Sequence, residues 1–92
     1  MISVRVSLAG YRDLDRLADF LTVKNPRAAH AAADAMLEAI ESLGEFPERG
    51  LSLRANLREL SVAYGRDGYV LRYRVLPTEV LVTRIFHARE RR

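Results

Sequence analysis

Residues 57–87 read LRELSVAYGRDGYVLRYRVLPTEVLVTRIFH, and this stretch decides the fold. Two breaks, Gly65-Arg66-Asp67-Gly68 and Pro77-Thr78, divide it into three runs rich in valine, leucine and tyrosine, and each break has the composition and length of a hairpin turn. The pattern predicts a three-strand antiparallel meander. In the first run Leu60, Val62 and Tyr64 share a face; in the second Tyr69, Leu71, Tyr73 and Val75 do so, leaving Val70, Arg72 and Arg74 on the other side. The third run, residues 80–86, is apolar on both faces with Arg84 as its one charged insertion, which predicts an interior strand.

Working back from the meander, Pro47-Glu48-Arg49-Gly50 opens a loop predicted to last to about Ala55. Before it lies an alanine-rich stretch, residues 26–43, in which Ala29, Ala32 or Ala33, Met36, Ile40 and Leu43 recur at helical spacing. Asn25-Pro26 supplies a side-chain cap followed by proline at the first helical position, where the missing N–H leaves no bond unmade. Residues 9–22 carry another such stripe, Tyr11, Leu14, Leu17, Ala18 and Leu21, with Arg12, Asp13, Asp15, Arg16 and Asp19 opposite and Ser7 as the cap. Residues 2–8 alternate Ile2, Val4, Val6 and Leu8 with Ser3, Arg5 and Ser7, as a half-buried strand does.

The predicted order is β-α-α-β-β-β: one α+β domain, residues 1–92, with a helical hairpin packed on one face of a mostly antiparallel four-stranded sheet. If the aliphatic faces meet the helices, Arg5, Arg72 and Arg74 project from the uncovered face and Arg84 joins them, while Arg58, at the start of its strand, turns to either side. An arginine-rich open face is expected.

A chain of 92 residues closes a single core. Without cysteine it holds no disulfide, thiolate metal site or cysteine nucleophile, and two isolated histidines suit a zinc site poorly, so no metal or other cofactor is expected. No run approaches the ~18 apolar residues of a membrane-spanning helix and no signal-like segment opens the chain, so a soluble cytoplasmic protein is expected. The net charge of +3 is uneven: residues 1–50 hold six basic and eight acidic side chains, residues 51–92 nine and four. Fourteen of the fifteen basic residues are arginine, whose fork binds carboxylate or phosphate bidentately, so the C-terminal half is expected to meet an acidic partner.

Phosphate-binding glycine loops and serine-nucleophile elbows are missing. His30 falls in the alanine-rich helix as a surface residue, whereas His87 closes the last strand beside Arg84 and Arg89. Cleavage of RNA by proton transfer needs a base, a cation for the developing phosphorane charge and an acid. His87 with Arg72, Arg74, Arg84 and Arg89 would supply such a set, and Tyr64, Tyr69 or Tyr73 could stack a base or donate a proton. Against this, strand parity turns Tyr69 and Tyr73 into the core, and the same arginines would suit a carboxylate-rich peptide.

Ser7-x-Ala9 ahead of Asp13-Leu14, the Pro47-x-x-Gly50 loop, Leu57-Arg58-Glu59-Leu60, Tyr73-Arg74-Val75 and Arg84-Ile85-Phe86-His87 follow one another over nearly the whole chain. In this order and spacing they resemble the ParE branch of the RelE/ParE toxins of bacterial type II toxin-antitoxin modules. The resemblance implies a growth-inhibiting toxin that binds and poisons DNA gyrase and is neutralised by a ParD-like acidic antitoxin, with operator DNA bound only through that antitoxin. The alternative it leaves is a RelE-type ribosome-dependent mRNA endoribonuclease. Such nucleases usually carry a basic residue just after the start of the second meander strand, where Val70 stands, and often end in a tyrosine, where this chain reads His87-Ala88-Arg89-Glu90-Arg91-Arg92. Both departures point to ParE and to action by binding. The expected antitoxin-binding residues are then Arg58, Arg72, Arg74 and Arg84, and the expected target-binding residues Arg89, Arg91 and Arg92. A nuclease would instead rest on His87, Arg72, Arg74 and Arg84.

Overall fold

A computed structural model describes residues 1–90. In order these form β1 (Ser3–Val6), α1 (Leu8–Lys24), α2 (Pro26–Glu45), β2 (Leu51–Arg54), β3 (Leu57–Val62), β4 (Tyr69–Val75) and β5 (Glu79–His87). Ser7 ends the first strand because its hydroxyl serves the next element: Oγ accepts from Gly10 N–H at 3.1 Å and donates to Thr83 O at 3.1 Å. Leu8, expected on the strand's inner face, therefore opens α1 and lies exposed. Asn25 joins the two helices. Its N–H bonds Leu21 O at 2.7 Å to close α1, and its Oδ1 accepts from the N–H groups of Arg27 and Ala28 at 3.1 and 3.3 Å to open α2, with Pro26 at the first helical position.

The sheet order is β1-β5-β4-β3-β2, with β1 parallel to β5 and the other pairs antiparallel. The expected α+β arrangement forms, with five strands rather than four. The additional strand, β2, lies in the segment read as loop. It pairs with β3 alone, carries a bulge between Ser52 and Arg54, and leaves all four residues exposed, so no alternation of buried and exposed positions marks it in the sequence.

A second bulge sets the side-chain directions of β5. Arg72 pairs with Arg84 and Tyr73 with Val82, which leaves Thr83 unpaired and shifts the inward parity from Val80 and Val82 to Ile85 and His87. Leu81 and Phe86 remain on the other face, so residues 80–86 are apolar on both. Inward residues of the sheet meet Leu17 of α1 and Met36, Ile40 and Leu43 of α2, and the fully buried set includes Leu71, Tyr73, Val80, Val82 and Ile85. Tyr69 and Tyr73 are core residues, as parity implied. On α1 the buried meridian runs through Gly10, Asp13 and Leu17, while Tyr11 and Ala18 of the expected stripe are exposed. The buried meridian thus lies about one residue from the apolar stripe, and Ser7 N–H ties the start of the helix to Val82 O at 2.9 Å.

The Pro47-x-x-Gly50 spacing is explained by the tyrosine beneath it. Tyr73 Oη donates to Pro47 O at 2.8 Å and accepts from Gly50 N–H at 2.8 Å. A Cβ on Gly50 would sit 2.7 Å from both that hydroxyl and Glu59 O, so only glycine fits. Arg58 shares the inner parity of Tyr73 and clamps the same loop, donating from Nη1 to Glu48 O at 3.0 Å and Gly50 O at 2.7 Å. At the far end of β3 the turn closes through Gly68, whose φ of 77° and 2.4 Å Cβ approach to Val62 O also require glycine. We expect Tyr73→Phe, which strips a donor from Pro47 O and an acceptor from Gly50 N–H, to lower unfolding free energy by about 1–3 kcal/mol in urea titrations. Tyr11→Phe, at an exposed position, should change it by less than about 0.5 kcal/mol.

Candidate functional site

Pairing of β1 with β5 stops at Val6 and Val82, so among the described residues no strand lies beside the outer edge of β5 further on. Two carboxylates take the strand's place. Asp13 Oδ2 accepts from Ile85 N–H at 2.8 Å, and Glu90 Oε2 accepts from His87 N–H at 3.1 Å. Asp13 is also forked by Arg84, with Nε to Oδ2 at 2.7 Å and Nη2 to Oδ1 at 3.2 Å, and touched by Arg16 at 3.4 Å. Arg16 in turn ion-pairs with Glu90, so Arg84, Asp13, Arg16 and Glu90 form one chain along the edge. Among the described residues Asp13 is the one buried charged side chain, 4% exposed. Burial pushes its carboxyl up, but the Arg84 fork, the Ile85 N–H, the Arg84 charge and Arg16 together outweigh that and hold it below the ordinary carboxylate value.

Beside this edge a cleft of about 550 Å³ opens between α1 and the end of the sheet. Leu17, Leu21, Tyr64, Tyr69 and His87 form its apolar side, Phe20 stands at its lip 60% exposed, and Arg16, Arg66 and Arg89 bring positive charge, with Asp67 and Glu90 as the acids. Tyr69 meets the His87 ring edge-on at 5.5 Å and Tyr64 at 6.2 Å. Tyr64 Oη donates to Ala28 O at 2.9 Å, which ties the aromatic row to α2. His87 Nδ1 accepts from Arg89 N–H at 3.2 Å. Burial pushes the Tyr69 phenol above its ordinary value, and Tyr64 and Glu90 nearby add to this, so the group stays protonated.

The arginines singled out from sequence do not form a bare face. Arg72 lies on the open side of the sheet but donates from Nε and Nη2 to Glu59 Oε2 at 2.9 and 2.7 Å; Arg74 donates to Asn56 Oδ1 at 2.8 Å, and Arg5 pairs with Glu79 at 2.7 Å. Arg84 starts from the open side, brings its guanidinium 4.9 Å from the Phe86 ring centre, which Arg72 also approaches at 5.3 Å, and curls round the edge to Asp13. Arg58 is not on the open face at all. The nuclease constellation is likewise not assembled: His87 faces the helix side with Tyr69, whereas Arg72 and Arg74 alternate to the opposite side. Arg89 reaches Asp67 at 3.4 Å on the rim of the cleft. Arg91 and Arg92 lie outside the described residues.

Asp13, Arg16 and Glu90, which organise this site, were not legible as functional residues. Asp13 and Arg16 look like any helical i, i+3 pair, and nothing local links either to Glu90 seventy-odd residues on. Among the described residues no group of histidines and carboxylates could hold a metal ion, and no helix is long and apolar enough to cross a membrane.

This fold is shared with solved toxin structures. The chromosomal ParDE toxin-antitoxin system of Pseudomonas aeruginosa contains a chain that superposes with a TM-score of 0.79 at 24% identity, covering 96% of this chain and 97% of that one. The toxin-antitoxin complex RelBE2 of Mycobacterium tuberculosis contains another, with a TM-score of 0.63 at 28% identity, covering 94% and 96%. The two-helix, mixed-sheet domain thus has the fold found in these toxin-antitoxin proteins. The sequence model described as ParE toxin of type II toxin-antitoxin system, parDE, matches residues 4–92, and the chain belongs to that family. It is also 42% identical to Toxin RelE1 of Caulobacter vibrioides over 90 residues, 98% of this chain and 97% of the relative, and 41% identical to Toxin RelE3 of the same organism over the full length of both.

The edge network sets a pH dependence. Because the folded-state pKa of Asp13 is depressed, its contribution is full above the unfolded value of about 3.9 and is lost as pH falls through the folded value. Asp13→Asn keeps an oxygen for Ile85 N–H but offers Arg84 and Arg16 no charge, and should destabilise by about 1–3 kcal/mol at pH 7. In urea titrations the gap between wild type and variant should narrow steadily as pH drops below about 4.

Proposed function

We propose that this toxin arrests growth in the cytoplasm by binding and poisoning DNA gyrase, and that a ParD-like acidic antitoxin, which also carries operator DNA binding, silences it. The observation that carries the choice of target is the separation of His87 from the sheet arginines. General acid-base cleavage of RNA requires a proton-transfer group and phosphate-binding cations on one reacting centre. Here Arg72 and Arg74 are engaged by Glu59 and Asn56 on the open side and Arg84 by Asp13 at the sheet edge, while His87 lies on the helix side with Nδ1 occupied. A protein that works by docking needs no such convergence, only a rigid surface. The antitoxin is supported by the solved relatives, which are a ParDE system and a RelBE2 toxin-antitoxin complex. In this reading Arg72 and Arg74 meet antitoxin carboxylates from the open face. Arg58 and Arg84 serve it from the loop clamp and the sheet edge, and Arg89, with Arg91 and Arg92, faces the target.

A second reading, ribosome-dependent mRNA cleavage, draws on one observation: His87, Tyr64 and Tyr69 share a cleft with Arg16, Arg66 and Arg89. The Caulobacter relatives also bear RelE names. Supercoiling by purified gyrase with and without the toxin, run beside ribosome-programmed mRNA cleavage, separates the two. We expect inhibition of supercoiling, no new mRNA ends, and toxicity of His87→Ala within about threefold of wild type. A nuclease would instead lose about 10²- to 10⁴-fold of its cleavage in that variant.

A further inference from the structure

Glu90 is the one acid of the cleft that also caps the sheet edge, and both of its jobs could be done by a carboxylate from outside. We infer that the Arg16 end of the cleft is an anchor site for an acidic, apolar-rich peptide segment, and that Glu90 fills it in the free protein as an internal carboxylate that the segment displaces. For its natural occupant, the antitoxin, the inference rests on the toxin-antitoxin pairing proposed above.

Four observations converge on it. Arg16 bonds both carboxylate oxygens of Glu90, so the geometry that receives a carboxylate is already built. Next to it stands an apolar side formed by Leu17, Leu21, Tyr64 and Tyr69 with Phe20 60% exposed at the lip, which would desolvate a leucine or phenylalanine beside the incoming acid. With Glu90 withdrawn, the rim holds Arg16, Arg66 and Arg89 against Asp67 alone, a charge balance that favours an acidic segment. The withdrawal also uncovers His87 N–H on the unpaired edge of β5, a main-chain donor for an extended segment. Glu90 is placed to leave: it sits on a turn closed by its own N–H to His87 O at 2.9 Å, after the last strand has ended, so it swings out with the sheet intact. Asp13, 4% exposed and tied to Ile85 and Arg84, stays. Tyr69, 3% exposed, presents no free ring face for stacking, which leaves a base only Phe20 and part of Tyr64, so the oligonucleotide is kept as an outcome of the test.

The experiment is fluorescence anisotropy of the full chain with three labelled probes: a peptide of repeated Leu-Glu and Phe-Glu pairs, the same peptide with every Glu replaced by Gln, and an oligouridylate. Glu90→Gln keeps an oxygen for His87 N–H while removing the charge opposite Arg16. Since apparent affinity scales with the fraction of protein whose site is open, this variant should bind the acidic peptide about threefold or more tightly than wild type. Arg16→Gln should weaken the peptide about tenfold or more, and the amide peptide should bind weakly throughout. Equal affinity of wild type and Glu90→Gln, indifference to Arg16, or preference for the oligouridylate would overturn the inference. Should Arg16→Gln fail to fold by circular dichroism, Arg66→Ala at the exposed turn decides in its place: weaker peptide binding supports the anchor site and unchanged binding rejects it. Co-purification with a co-expressed ParD-like antitoxin separates the two proposals. Capture by wild type and by Arg16→Gln alike would leave the pairing standing and remove the cleft as its anchor. No capture by wild type would remove the pairing, with the peptide titration still deciding the cleft.

Discussion

Ile85 N–H lies past the point where β1 ends, on a strand edge with no neighbour, and the carboxylate of Asp13 stands in for the missing strand. A buried N–H left without an acceptor is destabilising by the desolvation it has undergone, about 1–3 kcal/mol, and the same edge left bare would offer itself to another chain. The solution requires a negative charge inside the protein. That charge is tolerable because Arg84 and Arg16 approach it from the sheet and from its own helix, and the consequence is that α1 is locked to β5 in one rotation. Through Arg16 the lock extends to Glu90, so the end of the last strand, the tail after it and the mouth of the cleft are all positioned by one ionic chain.

The opposite end of the sheet uses a neutral version of the same device. Tyr73, fully buried, passes its hydroxyl through the sheet's inner layer to hold Pro47 O and Gly50 N–H, and Arg58 takes two further carbonyls of that loop. Both ends thus solve the problem of irregular backbone against a core by donating or accepting with long side chains from the regular elements. The bulge at Thr83 lies between them and turns Ile85 and His87 toward the helices, without which His87 would not reach the cleft.

For function, the main effect of this architecture is on charge. A sequence with nine basic residues in its C-terminal part suggests a strongly positive sheet, yet Glu59, Glu79, Asp13 and Asn56 partner the arginines that face outward. Of these only the Arg5–Glu79 pair is exposed, and such pairs are weak, typically under ~1 kcal/mol; the partners of Arg72, Arg74 and Arg84 are part-buried and hold those guanidinium forks in fixed directions.

Local pattern alone determined six of the seven elements and their order, the helix caps at Ser7 and Asn25, the meander and the core tyrosines, because periodicity and capping involve residues within a few positions of one another. The resemblance to the ParE family was legible in the same way, from short motifs in a fixed order. Beyond its reach were β2, which buries nothing; the bulge that fixes the direction of Arg84 and His87; the turning of Arg58 beneath its loop; and the joining of Asp13 and Arg16 to Glu90. Each of these depends on which strand edge is left unpaired and which distant carboxylate or carbonyl arrives there, and that is decided only when the sheet closes and α1 settles on it.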